Sequence, residues 1–360
     1  MEDRRFRREI TLPLRTGAHV LRVMGLVAWG CSSAPEPEAS APGAGSFAPA
    51  VPDLPPPPEF VLAAQWALPT LPDGFLRNGD GRIYSEKDGA EMVLVPAGEF
   101  TMGDDSSDEP NERPAHRVFV SQLLVDRHEV TNAQFARFVR ATGYRTDAEK
   151  EGKGFALIGD DWAKVAGADW KHPEGPGTSI RGLDAIPVVL VSWNDSRAYG
   201  DWVGRRLPTE AELERCLRGG MEAKRYPWGD ADTPSGKPGN YADEALQRKH
   251  PSFTRPIAGY DDGIERTSRA GAFEQCTLGL FDVSGNVWEW CSDAYSSVYY
   301  DTLSGSVARD PQGPSSSSSR VLRGGSWRSG PFTLRCACRF STEPADRAGH
   351  IGFRTVRSLP

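Results

Sequence analysis

The chain has 360 residues, 38% of them hydrophobic and 25% charged, with a net charge of −7. That balance supports a buried core and excludes both a wholly disordered chain and a general nucleic-acid binder, which would need a basic surface. The 38 Gly, 29 Pro and 10 Trp predict many turns, little regular structure and aromatic anchors, spread over one large domain or two small ones.

In chain order, residues 1–22 carry six Arg against three acids, a short apolar run spans residues 23–30, and Cys31-Ser-Ser follows. A basic start, an apolar run and small residues are the logic of a secretory signal. A Cys directly behind the run resembles a bacterial lipoprotein signal, with Cys31 as the lipidated residue. Residues 1–31 are therefore expected to be an export signal. The protein is then extracytoplasmic and touches a membrane only through that anchor. The alternative is a start codon placed too early, followed by a disordered tail. The early Arg-Arg-Phe-Arg-Arg-Glu stretch belongs to targeting or solubility rather than nucleic-acid binding. Residues 32–75 open with nine Pro in 32–58 and are expected to form an extended Pro/Ala-rich tether. No run of 18 apolar residues occurs, so no ordinary membrane-spanning helix is encoded.

Residues 76–360 are expected to form one folded domain. Asn78-Gly-Asp-Gly81 reads as a turn, and Met92–Gly103 as short strands around a Pro-Ala-Gly turn. Val118–Val120 and Leu123–Asp126 are further strands. A first helix is expected after the N-cap Thr131, burying Phe135, Phe138 and Val139 and stopping at Gly143. A second begins at Asn194-Asp195. In a third, Thr209 and Glu212 form a capping box, and Leu213, Cys216 and Leu217 face inward. Beyond residue 220 the chain reads as loop-rich, and Ser315–Ser319 as a solvated loop tip.

Seven blocks occur in order: MVLVPAGEFTMG (92–103), DRHEVTNAQFARFV (126–139), VSWNDSRAYGDWVGRRLPTEAELE (191–214), YPWGD (226–230), GLFDVSGNVWEW (279–290), RVLRGGSW (320–327) and IGFR (351–354). Together they resemble the sulfatase-modifying-factor family, to which the formylglycine-generating enzymes belong; GADWKHPEGP (167–176) resembles that subgroup. The resemblance implies an α+β fold, irregular and C-type-lectin-like, with structural calcium.

Calcium takes six to eight oxygen ligands. The resemblance places one calcium set at Asp282, the Gly285 and Val287 carbonyls and Glu289. It places a second at Asn240, the Tyr241 carbonyl, Asp262 and the Ile264 carbonyl. Read from the residues alone, these Asp and Asn serve equally well as turn caps. The family's oxidase activates O₂ at a copper(I) held by two Cys just beyond its GGSY block. Here Ser329 falls at the first of those positions, and no thiol falls at the second. A hydroxyl is a hard, poor ligand for Cu(I), so the copper chemistry is expected to be lost. Cys336 and Cys338, if extended, would face one way but stand too far apart for one Cu(I); a site built on Cys338 is the alternative. Cys336 aligns with a family Cys bonded to the end of the third helix, which implies a Cys216–Cys336 disulfide. Ser326, Asn286 and Trp288 align with the family's cleft walls, so a peptide groove is expected, with fold maintenance as the alternative. The His residues form no close cluster, and no iron triad is read.

The expected function is that of an exported, calcium-stabilised module binding a protein or peptide, sulfatase-like among the candidates, without copper-oxidase chemistry. The alternative is an active oxidase converting a sulfatase cysteine to formylglycine.

Overall fold

The computed structural model describes residues 70–220, 224–253 and 255–360. The expected signal, Cys31 and most of the expected tether lie outside the described residues. The first strand, β1, is Phe75–Arg77. It is followed by β2 (Ile83–Ser85), β3 (Glu91–Val95), β4 (Gly98–Met102), β5 (His116–Val120) and β6 (Leu123–Asp126). Helices α1 (Asn132–Thr142) and α2 (Asp147–Glu151) precede the hairpin of β7 (Lys153–Ile158) and β8 (Asp161–Ala166). Then come α3 (Trp193–Val203), α4 (Glu210–Leu217) and α5 (Glu244–Lys249). The strands β9 (Trp288–Ala294), β10 (Ala308–Arg309), β11 (Arg320–Arg323), β12 (Phe340–Thr342), β13 (Ile351–Gly352) and β14 (Val356–Ser358) close the chain. The stretch beyond residue 220 thus carries short strands within its loops.

The sheets run β1-β2-β3-β6-β14, β10-β5-β4 and β12-β11-β9-β13, beside the β7–β8 hairpin. Pairing of β14 with β6 brings the last residues onto the strand that leads into α1. The Met92–Gly103 stretch is divided between two sheets: β3 pairs with β2 and β6, and β4 pairs with β5. Pro96 stands at that division, where a residue without an N–H can leave one ladder before the next begins. Among the described residues no helix is long and apolar enough to cross a membrane.

Local capping chemistry sets the helix starts. The Thr131 side chain accepts from the Gln134 N–H, and the Gln134 carboxamide accepts from the Thr131 N–H at 2.8 Å. Gly143, at φ 68°, ends α1. Phe135 and Phe138 are buried as expected, while Val139 is half-buried. The second expected helix begins one residue earlier, at Trp193, because Ser192 is the cap and Asp195 answers it. Thr209 and Glu212 form the expected box on α4, but every residue of that helix is buried, its three Glu included.

The core falls into two main clusters. One surrounds α4 with residues of β3 to β6, including Val95, Phe100, Val118 and Val125. The other packs α1 and α3 against β9 through Phe135, Phe138, Tyr199, Trp290 and Phe353. Phe135 meets Trp170, Tyr199 and Phe353 at ring-centroid distances of 5.2, 6.0 and 6.4 Å. The turn 282–287 and the 324–330 loop lie where these clusters meet the final strands.

Candidate functional site

The Asp282–Glu289 segment folds as a tight turn running into β9. Asp282 and Asn286 sit at φ 51° and 54°, in the left-handed region, and Gly285 sits at 81°. A side chain at Gly285 would meet the Asn240 carbonyl at 2.3 Å, so only Gly fits there. The Asn286 N–H donates to the Asn240 carbonyl and the Gly285 N–H to the Gly324 carbonyl, each at 2.9 Å. The two expected calcium sets and the GGSW loop are thereby tied into one region.

Asn286 is the hub. Its carboxamide oxygen accepts from the Ser268 N–H at 2.8 Å and from the Asn240 amide at 3.2 Å, and its own amide donates to Glu129 at 2.8 Å. It is fully buried, and its polar atoms hold the fold together. Trp288 is also buried and packs against Phe340, and its backbone N–H donates to the His350 carbonyl.

Three buried carboxylates, Glu129, Asp282 and Glu289, face a single guanidinium, Arg354. Arg354 takes both oxygens of Glu289 and donates to the Phe281 and Asp282 carbonyls, each at 3.0 Å. Burial pushes Asp282 up to about 6, and burial together with Asp282 and Glu289 pushes Glu129 well up. The Oδ1 atom of Asp282 is buried with no hydrogen-bond partner among the described residues. An orphaned carboxylate oxygen in an under-neutralised cluster suits a divalent cation. Glu289, however, is already spent on Arg354. Asp282, with the Gly285 and Val287 carbonyls, would be the part of this set open to calcium.

In the second set, the Tyr241 N–H donates to Asp262 Oδ2 at 3.0 Å and the Ile264 N–H to Asp262 Oδ1 at 2.7 Å. These bonds bring Asn240, Tyr241, Asp262 and Ile264 together. Asn240 Oδ1 is likewise buried without a partner, and burial, with Asp243 beside it, pushes Asp262 up to about 8. The residues fit a cation here too. Among the described residues no group of three His, Cys, Asp or Glu side chains can hold a metal. Calcium in either place would therefore draw on amide and carbonyl oxygens.

The copper donors do not fit. The Ser326 N–H donates to Ser329 Oγ at 2.9 Å, the Ser329 N–H donates back to the Ser326 carbonyl at 2.9 Å, and the Ala242 N–H donates to the Ser329 carbonyl at 3.1 Å. Ser329 is a buried turn residue. Gly325, at φ 76°, lets Leu334 approach within 2.7 Å of where a Cβ would stand, which packs the loop shut. The Cys336–Cys338 segment is a turn, so the spacing argued for an extended strand does not apply. Cys336 enters the α4 cluster, whereas Cys338 packs with Trp290 and Phe353 in the other. Burial pushes Cys336 up to about 12, so it stays a protonated thiol.

The Cys216–Cys336 bond is not made. Both are free thiols in one core cluster. Burial, and then Cys276, raises the Cys216 thiol, whereas the charged neighbours of Cys336 are Arg218, Glu214, Arg323 and Lys224. The turn carrying Cys276 docks on the end of α4, where the Thr277 hydroxyl donates to the Gly219 carbonyl at 2.6 Å.

Sequence reasoning missed Glu129 and Arg354 as partners, although both lie inside recognised blocks. It also missed Trp162, Arg328 and His350 beside the 324–330 loop. The only signal was Arg328 standing next to Ser329, where the resemblance expects a thiol.

A family profile described as the sulfatase-modifying factor enzyme 1-like domain matches residues 83–359. A formylglycine-generating enzyme of Thermomonospora curvata is 41% identical over 285 residues, covering 73% of this chain and 92% of that protein. An inactive Cα-formylglycine-generating enzyme 2 of Bos taurus is 36% identical over 311 residues, covering 80% and 92%. Among solved structures, PvdO from Pseudomonas aeruginosa is similar at a TM-score of 0.57 and 27% identity, covering 81% of this chain and all of that one. A relative named a formylglycine-generating enzyme and one named inactive thus match along nearly the same length.

Proposed function

The chain belongs to the sulfatase-modifying factor family, and on that premise we propose that it is a calcium-stabilised module that binds a peptide or protein and performs no copper-oxidase chemistry. The observation that carries this reading is the state of the 326–338 segment. Where copper(I) would need two thiolates, Ser329 offers a buried hydroxyl that already closes a turn. The two Cys that follow are turned into separate parts of the core. Soft Cu(I) has no matching donor pair there. The orphaned Oδ1 atoms of Asn240 and Asp282 support the calcium part of the reading. Likeness to formylglycine-generating enzymes supports a peptide, sulfatase-derived among the candidates, as the ligand, and the basic start, apolar run and Cys31 of the sequence support export as the setting.

The test incubates purified protein with copper and a Cys-containing sulfatase peptide and looks for aldehyde by mass spectrometry. No aldehyde is expected from the chain or from Ser329→Cys, since one restored thiol still lacks its partner. Aldehyde from the unaltered chain overturns the reading in favour of the oxidase alternative.

A further inference from the structure

Next to the 324–330 loop, the half-buried indole of Trp162 on β8 gathers three polar groups. The His350 ring lies 4.3 Å from it and the Trp327 ring 6.4 Å, centroid to centroid. The Arg328 guanidinium stands 5.7 Å over its face and 5.8 Å over that of Phe253. Each of the three carries a buried polar atom without a hydrogen-bond partner among the described residues: Trp327 Nε1, Arg328 Nη1 and His350 Nδ1. Trp327 is only 2% exposed. A buried donor left unmade costs about 1–3 kcal/mol, so three such atoms around one indole are not explained by packing.

The charge of Arg328 is also poorly answered. Its Nη2 donates to the Asp160 carbonyl at 3.3 Å, and no carboxylate pairs with it among the described residues. Asp160 and Asp161 are its acidic neighbours, but the Asp160 carboxylate is spent on His250 Nδ1 at 2.6 Å. The other ring nitrogen of His250 meets Glu265 at 3.1 Å. Arg266, the nearby second guanidinium, is paired with Glu174 and lies 3.7 Å from Glu265. Burial, aided by Arg328, holds His350 neutral with a pKa near 3, so its Nδ1 is available as a donor in one tautomer. Indole and guanidinium N–H groups only donate, and their complement is an acceptor that carries negative charge.

We propose that Trp327, Arg328 and His350, around the Trp162 indole, form a binding site for an oxyanion. The site takes the carboxylate, sulfate or phosphate of a ligand whose remainder lies against Trp162 and Phe253. It occupies the flank of the loop that lost the copper thiols, and it does not depend on the peptide-module reading. Oxyanion capture is read at equilibrium whether or not the chain makes aldehyde.

Calorimetric titrations of the full chain with sodium sulfate, sodium phosphate and N-acetylglutamate, at ionic strength held constant with chloride, test this. At least one anion binds saturably. Arg328→Gln weakens that binding about tenfold or more, as loss of a charged hydrogen bond does. Trp327→Phe, which keeps a ring and deletes only the N–H, weakens it several-fold and guards against an Arg328 variant that misfolds. Binding of the inorganic ions alone assigns a sulfate or phosphate ester, and binding of N-acetylglutamate alone assigns an acidic peptide. Failure of all three anions to bind saturably, or binding unchanged in both variants, overturns the proposal.

Discussion

Replacing Glu214 with Gln tests the idea that buried charge on α4 fixes the segment carrying Cys336 and Cys338. Glu214 is fully buried. Its Oε1 accepts from the Gly103 N–H at 2.9 Å and from Arg218 Nε and Nη2 at 3.0 and 2.7 Å, and its Oε2 accepts from Arg323. Arg323, also fully buried, donates through Nη1 to the Ala337 and Cys338 carbonyls and through Nη2 to the Cys336 carbonyl. The carboxamide keeps the volume but removes the charge and points an NH₂ at donors. Arg323 is left with Glu210 at 3.8 Å as its nearest carboxylate. Breaking one side of a buried pair costs about 3–5 kcal/mol, or roughly 6–20 °C in melting temperature for a domain of this size. Burial alone would raise the Glu214 pKa, but Arg323, Arg218 and the Gly103 N–H outweigh it and hold it below the ordinary 4.5. Its contribution is therefore full above the unfolded-state value and fades as pH falls through the lower folded-state value. Urea melts of both proteins from pH 7 downward should show a wide gap that narrows below about pH 4.5. A loss under about 1 kcal/mol at pH 7, the scale of an exposed pair, or a gap that does not narrow, refutes the reasoning.

Two further outcomes are expected. A calcium chelator should lower the melting temperature, by the equivalent of about 2.7 kcal/mol where free calcium was a hundredfold above Kd. Asp282→Ala should remove part of that sensitivity, and scanning calorimetry with and without chelator checks both. His128 stacks on Phe281 at 5.2 Å, and burial, with Arg127, Arg354 and Arg269 beside it, lowers its pKa to about 3. The unfolded chain therefore binds a proton that the folded chain refuses, and stability falls as pH drops from about 6.5 towards 3, by up to about 1.4 kcal/mol per unit. His128→Phe should flatten that slope in pH-dependent melts.

What the sequence made legible was local. Thr131, Thr209 and the glycine stops announce helix ends because their chemistry acts within three or four residues. α2 escaped notice because five residues carry too little periodicity, although Thr146 and Glu149 form the same box. The capping box and the inward Leu213, Cys216 and Leu217 say nothing of where the charges on α4 lie. The structure buries them because their partners arrive from far along the chain: Arg323 for Glu214, and Arg339 for Glu210. Glu129 and Arg354 meet through the β6–β14 pairing, which no single block announces. The Cys336–Cys338 pair misled for a related reason. Alternation argues the direction of side chains in a strand, and this segment is a turn.

These long-range pairs hold the scaffold independently of the residue at position 329. The turn from Ser326 to Ser329 is closed by its own hydrogen bonds, by the Ala242 backbone N–H on the Ser329 carbonyl, and by the Trp327 backbone N–H on the Asn286 carbonyl at 2.9 Å. None of those contacts needs a sulfur at position 329. The buried pairs Glu214–Arg323, Glu210–Arg339 and Glu289–Arg354 hold α4, β9 and the final strands without drawing on that loop. A change at Glu214 or Arg354, by contrast, would leave a charge stranded in the core.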